Sequence, residues 1–232
     1  MNVNKLSIII PCYNEINTIA DSIMQVRKAD LGDIIREIII VDDGSTDGTV
    51  EFLESLNSTE VKVFFHNNNF GKGFAIRTAL KHINGDLVVI HDADLEYDPQ
   101  DFMKMINLFS DESVQVVYGS RNLNKSNERS SYLFSLGGII LSQLTNILYG
   151  SDITDEATCY KMFRTRVLCD IDLECTGFEF CPEVTAKILK ANISIYEVPI
   201  TYIPRQISEG KKIKYRDGIV AIGTLLKYRF FD

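Results

Sequence analysis

Four short runs of aliphatic and β-branched residues each break off at a turn, and helical spacing fills the stretches between them. Residues 6–10 stop at Pro11, residues 37–41 stop at Asp42-Asp43-Gly44, residues 61–65 form a third run, and residues 86–90 end at His91-Asp92. Apolar runs this short suit strands buried on both faces. Between them, residues 17–28 place Ile19, Ile23 and Val26 on one helical face, residues 46–56 begin with Thr and Asp, and residues 73–83 follow a glycine-lysine turn. This alternation predicts an α/β domain with an open, mostly parallel central sheet flanked by helices. Ligands of such sheets sit beyond the carboxyl ends of the strands. The clusters Tyr13-Asn14-Glu15, Asp42-Asp43-Gly44 and Asp92-Ala93-Asp94 all fall at such ends and are expected to meet in one cleft.

The second half is less regular. Residues 114–118 read as a strand leading into Gly119-Ser120-Arg121, and 122–131 as a polar, mobile loop. Residues 131–149 and 182–191 read as helices, 194–202 as a strand and 215–230 as an amphipathic helix. With no repeat or linker, residues 1–232 are expected to form one domain. A net charge of −8 argues against a nucleic-acid binder. The start of the chain does not read as a signal peptide, and the longest apolar stretch, 133–148, is interrupted by Ser135, Ser142, Gln143, Thr145 and Asn146. The five cysteines contain no C-x-x-C pair and are odd in number, so they read as reduced cytosolic thiols.

Two carboxylates around a small residue, just after a buried strand, can share one hard cation that also bridges phosphate oxygens. Asp92 and Asp94 are therefore candidate metal ligands, with Glu96 as a third oxygen donor and Ala93 leaving room for a ligand. A solvated turn is the alternative for any lone D-x-D. Tyr13 offers a face for a nucleobase and Glu15 an acceptor for ribose hydroxyls; a plain helix start capped by Asn14 is the competing reading. Asp43 is a candidate for a base edge or ribose, and Asp47 for a helix cap. Asn69-Phe70-Gly71-Lys72-Gly73 offers backbone N–H groups and a lysine to a phosphate, without P-loop spacing. Residues 205–216 hold Arg205, Lys211, Lys212, Lys214 and Arg216 against Glu209 alone, as a phosphate-closing loop or a solvated charge run. A hydroxyl acceptor would need a carboxylate base; Asp155 is the first candidate and Asp152 the second. The helix at 131–149 suits a membrane interface, a core position or a dimer face. His66, His82 and His91 show no ligand spacing.

Pro11-Cys12-Tyr13-Asn14-Glu15, then Val41 to Thr49 (VDDGSTDGT), Gly71-Lys72-Gly73, and Asp92-Ala93-Asp94-Leu95-Glu96-Tyr97-Asp98-Pro99 occur in the order seen in family 2 inverting glycosyltransferases of the GT-A fold, which this chain resembles over about its first 120 residues. The resemblance implies donor-site roles for Pro11, Tyr13, Glu15, Asp43, Lys72, Asp92, Ala93 and Asp94, with Asp94 the principal ligand of Mg²⁺ or Mn²⁺. Residues 1–120 would then bind the nucleotide-sugar and 121–232 the acceptor. Gly119-Ser120-Arg121, Thr154-Asp155, Gly177-Phe178-Glu179-Phe180 with Pro182-Glu183, Glu197-Val198-Pro199-Ile200, Arg205 and the stretch 209–218 resemble the dolichol- and polyprenyl-phosphate mannose synthase group. That likeness implies that Arg121 and Arg129 bind an acceptor phosphate while Arg205 and Lys211 close over the donor diphosphate. One departure stands out: that group often reads Thr-Ser-Gly-Phe after the Thr-Asp pair, where this chain has Glu156-Ala157-Thr158-Cys159.

The combined expectation is a metal-dependent, inverting hexosyltransferase. It would use GDP-mannose or UDP-glucose and a polyprenyl phosphate, at the cytoplasmic face of the cell membrane. The alternatives are a family 2 enzyme adding sugar to a saccharide hydroxyl in cell-surface glycan synthesis, and a degenerate nucleotide-sugar-binding module. A nucleotidyltransferase would need a Gly-rich N-terminal loop that Pro11 to Glu15 does not supply.

Overall fold

The computed structural model describes residues 3–56, 58–128, 132–205 and 212–231. Among the described residues, seven strands form one sheet: β1 (Lys5–Cys12), β2 (Ile35–Asp42), β3 (Val61–Phe65), β4 (Leu87–Ile90), β5 (Val116–Ser120), β6 (Lys161–Arg164) and β7 (Ile195–Pro199). Their order is β3-β2-β1-β4-β6-β5-β7, and β6 alone runs antiparallel to its neighbours. The helices are α1 (Ile19–Lys28), α2 (Thr49–Glu54), α3 (Lys72–Leu80), α4 (Phe102–Ile106), α5 (Tyr132–Tyr149), α6 (Thr165–Cys169), α7 (Phe180–Lys190) and α8 (Tyr215–Phe230). The expected fold class is thus the observed one, a mostly parallel sheet with flanking helices.

The sheet register puts the polar clusters side by side. Cys12 pairs with Asp42, Asp42 pairs with Phe65, and Ile9 pairs with Ile90. The His91 N–H donates to the Ile9 carbonyl at 2.9 Å and the Asp43 N–H to the Cys12 carbonyl at 2.8 Å. The residues following β1, β2 and β4 therefore emerge at one edge. The isoleucines of β1 and β2 that drive this pairing are fully buried, as expected of strands covered on both faces.

Helices α4 and α6 have no counterpart in the sequence expectation, and two strands differ from it. β1 continues through Pro11 to Cys12 rather than stopping. Pairing with β4 has already ended at Ile9, so the N–H that proline lacks is not needed on that flank. The second difference is β6, which escaped prediction because a four-residue strand with a cation at each end carries no period-2 signal. Its charges are buried yet satisfied. Lys161 donates to the Glu156 carbonyl and lies 3.9 Å from the Tyr118 ring centroid. Arg164 donates to the carbonyls of Val114, Phe109 and Asp111 at 2.8–3.1 Å. Backbone acceptors thus offset the cost of burying both cations.

A smaller apolar cluster, separate from the main core, joins α5, α7 and α8 through Leu141, Ala186, Ala221, Leu225 and Tyr228. The outer faces of α5 and α8 leave Leu136, Ile139, Ile140, Ile147, Ile219, Val220 and Phe230 exposed. No helix among the described residues is long and apolar enough to cross a membrane. All five cysteines are free thiols.

Candidate active site

A cleft of about 1290 Å³ opens at the carboxyl edge of the sheet. Pro11, Tyr13, Glu15, Asp43, Lys72, Asp92, Ala93, Asp94, Glu96, Arg121, Asp155 and Arg205 all line it. Arg129 and Lys211 lie outside the described residues. Asp152 is exposed and does not line the cleft.

The β4 turn holds three carboxylates with three different fates. Lys72, at the start of α3, places Nζ 2.6–2.7 Å from both oxygens of Asp92. Burial opposes charge on each, but the mutual attraction wins, so Lys72 is held protonated and Asp92 ionised. Glu96 accepts from the Tyr202 hydroxyl at 2.8 Å with one oxygen and from the Arg205 N–H at 2.8 Å with the other. It pins the residues after β7 to the cleft. Asp94 is left in between, with its carboxyl pushed up to about 7 by burial, then by the neighbouring charges of Asp92 and Glu96, against the pull of Arg205.

Asp92, Asp94 and Glu96, the three carboxylates expected from sequence as a metal set, all line the cleft. Among the described residues no three histidine, cysteine or carboxylate side chains converge on one point. Asp92 is neutralised by Lys72, and each oxygen of Glu96 accepts one hydrogen bond. Asp94 remains as an oxygen donor whose crowded charge a hard divalent cation would relieve, with the further ligands left to a diphosphate and water. In that limited sense the residues fit such an ion.

Several backbone N–H groups in and beside the glycine-lysine turn are taken up within the protein. Those of Phe70 and Gly71 donate to Asp43 at 2.6–3.1 Å, and those of Gly73 and Phe74 to the carbonyls of Gly177 and Thr176. The Lys72 side chain reaches Asp92 in the cleft. Asp43, which also meets His66 Nδ1 at 2.7 Å, anchors the 66–71 segment and lines the cleft. Gly71 has φ +99, and a Cβ there would stand 2.4 Å from the Thr176 carbonyl oxygen. Gly71→Ala is expected to cost about 2 kcal/mol or more and to displace Lys72. A urea melt checks the first effect and nucleotide-diphosphate affinity the second.

Asn14 is not the cap of α1. It adopts φ 49, accepts from the Thr46 N–H at 2.8 Å, and its own N–H donates to Ser45 Oγ at 2.8 Å. It clamps the two first turns together. Asp47 does organise a helix start: it accepts from the Thr49 N–H and hydroxyl at 3.1 and 2.6 Å just before α2. Tyr13 keeps its ring beside Lys212, whose Nζ lies 5.7 Å from the ring centroid.

On the opposite wall, Asp155 does not stand free as a base. Its oxygens accept from Arg121 Nε and Nη2, both at 2.7 Å, and from the Arg121 N–H at 2.9 Å. A carboxylate so engaged and buried anchors Arg121; it is poorly placed to take a proton from an acceptor. The guanidinium also lies 5.1 Å from the Tyr202 ring centroid. The stretch after β5, expected to be mobile, is stitched down over residues 122–128: Asn127 donates to the carbonyls of Arg121 and Ile200 and accepts from the Tyr202 N–H.

Sequence reasoning gave Glu156 no role. It is fully buried beside the cleft, and among the described residues neither carboxylate oxygen has a hydrogen-bond partner. Burial raises its carboxyl, and Asp155 adds to the rise against the opposing Lys161 and Arg121. A raised folded-state value means that its stabilising share is fully present at low pH and is lost as pH climbs through that value. Glu156→Gln has no proton to lose. Its melting temperature relative to wild type is expected to rise between about pH 5 and pH 8; a flat difference would contradict this. His91, by contrast, is locked between Ser22 Oγ at 3.2 Å and Tyr160 at 2.9 Å and lowered to about 4 by burial, so it is a neutral core residue.

Residues 7–171 match the family model for glycosyl transferase family 2. Among curated proteins, glycosyltransferase AglJ of Haloferax volcanii is 31% identical over 199 residues, covering 85% of this chain and 63% of its own length. The low-salt glycan biosynthesis hexosyltransferase Agl6 of the same organism is 29% identical over 216 residues, covering 92% of this chain and 51% of its own. The chain thus spans only about half to three-fifths of these relatives. Among solved structures, glucosyl-3-phosphoglycerate synthase from Mycobacterium tuberculosis, in complex with Mn²⁺, UDP and glucosyl-3-phosphoglycerate, superposes with a TM-score of 0.75 at 20% identity. That match covers 97% of this chain and 80% of the other. Mannosyl-3-phosphoglycerate synthase from Rubrobacter xylanophilus gives a TM-score of 0.72 at 20% identity, with 97% and 72% covered. At such identities the likeness carries the fold, which is GT-A. A family match over most of the chain, on this fold and with these clusters at the strand ends, means that the chain belongs to glycosyl transferase family 2.

Proposed function

We propose that this chain transfers a hexose from a nucleotide-sugar to an acceptor in glycan assembly, with inversion at the anomeric carbon. The observation that carries the reading is the meeting of Tyr13 and Glu15 from the turn after β1, Asp92 and Asp94 from the turn after β4, Lys72 from α3 and Arg205 in one cleft. Tyr13 and Glu15 suit the nucleoside, and Lys72 and Arg205 the diphosphate. A Mg²⁺ or Mn²⁺ ion held by Asp94 would supply neutralisation of charge on the departing diphosphate. The acceptor oxygen forms its bond to the anomeric carbon as the bond to the diphosphate breaks. Residues 1–120 would bind the donor, and residues after Ser120 would form the acceptor side.

Both named Haloferax relatives are glycosyltransferases, and one is named for glycan biosynthesis. That supports a saccharide hydroxyl as acceptor over the lipid phosphate expected from the second-half motifs. A specific observation keeps the polyprenyl-phosphate reading as a second one. Asp155 is tied to Arg121, which makes it a poor base for a hydroxyl, whereas an ionised phosphate needs none. Ile140, Ile219 and Ile222 line the cleft and continue into the exposed apolar faces of α5 and α8. Those faces, with Lys214 and Arg216 nearby, would suit a position on an anionic membrane surface.

The test offers UDP-glucose and GDP-mannose with Mn²⁺ to the protein, and compares polyprenyl phosphate, lipid-linked saccharides and free saccharides as acceptors. A labelled saccharide supports the first reading and a labelled lipid phosphate the second. Nucleotide-sugar binding without turnover on any acceptor would leave only a binding module.

A further inference from the structure

Two ion pairs in the cleft differ in quality. Arg121 grips Asp155 through two bonds of 2.7 Å, the length of a committed charge-assisted fork. Arg205 is spread over three acids instead. Its Nη1 lies 3.2 Å from Glu15 Oε2, and its Nη2 lies 3.4 Å from Glu15 Oε1 and 3.2 Å from Asp94 Oδ2. Its Nε is 4.0 Å from Glu96 Oε1, is buried, and has no hydrogen-bond partner among the described residues. All these contacts are long for a guanidinium and a carboxylate, and one donor is left over. Lys212 Nζ sits 2.6 Å from Glu15 Oε1, so Glu15 has a second cation and does not depend on Arg205. Asp94 has no such reserve, because Lys72 is committed to Asp92.

We propose that Arg205 is a stand-in cation: in the nucleotide-free protein it neutralises Asp94 and competes with a divalent ion for that carboxylate, and it leaves for the donor diphosphate when the nucleotide arrives. The inference rests on the donor-site reading above. Its physical basis is simple. A guanidinium 3.2 Å from an Asp94 oxygen repels a divalent cation approaching the same oxygen. A diphosphate supplies Arg205 with better-placed acceptors, the spare Nε among its donors, and releases Asp94. Metal and nucleotide would then bind as a coupled pair, each raising the affinity of the other by the same factor.

The experiment measures Mn²⁺ binding to the whole chain by the loss of the free-ion electron paramagnetic resonance signal, with and without UDP or GDP. Wild type is expected to hold Mn²⁺ weakly alone and more tightly with nucleotide. Arg205→Gln is expected to tighten nucleotide-free Mn²⁺ binding by about 5-fold or more, with the nucleotide effect reduced. Arg205→Lys should fall between. Glu15→Gln, which drops one of the acids sharing Arg205, should weaken nucleotide-free Mn²⁺ binding, the opposite sign. Nucleotide-dependent Mn²⁺ binding in wild type with an unchanged or weaker nucleotide-free affinity in a folded Arg205→Gln protein overturns the stand-in role alone. Absence of Mn²⁺ binding by wild type even with both nucleotides overturns the donor-site reading as well.

Discussion

Asp94→Asn is expected to abolish metal-dependent sugar transfer, by at least about 10³-fold, while the protein stays folded and gains stability at alkaline pH. The activity loss follows from the fates of the three acids on the β4 turn. Asp92 is bound to Lys72 and Glu96 to Tyr202 and Arg205, so neither can replace the missing carboxylate. The stability gain follows from the crowding of Asp94, whose carboxyl is raised to about 7. A raised value gives stability that is present below the ordinary aspartate range and fades as pH rises through 7. Asparagine carries no charge to crowd. Turnover with saturating Mn²⁺, and melting temperatures at pH 6 and pH 8.5, check the two halves. Retained activity would remove Asp94 from the metal assignment, and a stability difference independent of pH would remove the crowding argument.

Asp155→Ala is expected to destabilise the fold by about 3 kcal/mol. The lower end of the range for a broken buried pair is appropriate because 23% of the Arg121 side chain remains exposed, against 2% for Asp155. The loss comes from an uncompensated guanidinium, so the double variant with Arg121→Ala should recover part of it. Urea unfolding of the two single variants and the double gives the coupling. Additive losses would mean that the pair is not a unit. The same series separates anchor from base. An anchor loses acceptor affinity together with stability, whereas a base would show a fall in kcat for Asp155→Asn with stability retained.

The reading of Asp155 as a base shows where sequence reasoning runs out. A carboxylate after a threonine, opposite a cleft, has the right chemistry for that task. Its partner Arg121 lies 34 positions away, and nothing in local spacing reveals the pairing. The glycine-lysine turn is a parallel case. Its composition suits a phosphate, but its N–H groups had already been taken by Asp43 and by the 176–177 carbonyls. Glu156 was visible only as a departure from a motif, because burial without a partner is a property of packing.

What the sequence by itself determined is the edge at which chemistry happens. Short aliphatic runs ending in polar clusters dictate a parallel sheet, and parallel strands in register must deliver Tyr13, Asp43 and Asp94 to one side. That follows from period and order alone, so it was legible without coordinates. Tertiary structure alone decided which charge answers which: Lys72 takes Asp92, Asp43 takes the 70–71 backbone, and Arg205 reaches 190 positions back to Glu15 and 111 to Asp94. The physical reason is that Coulomb and hydrogen-bond energies depend on distances of a few ångströms. Such distances between remote residues exist only once the chain has packed.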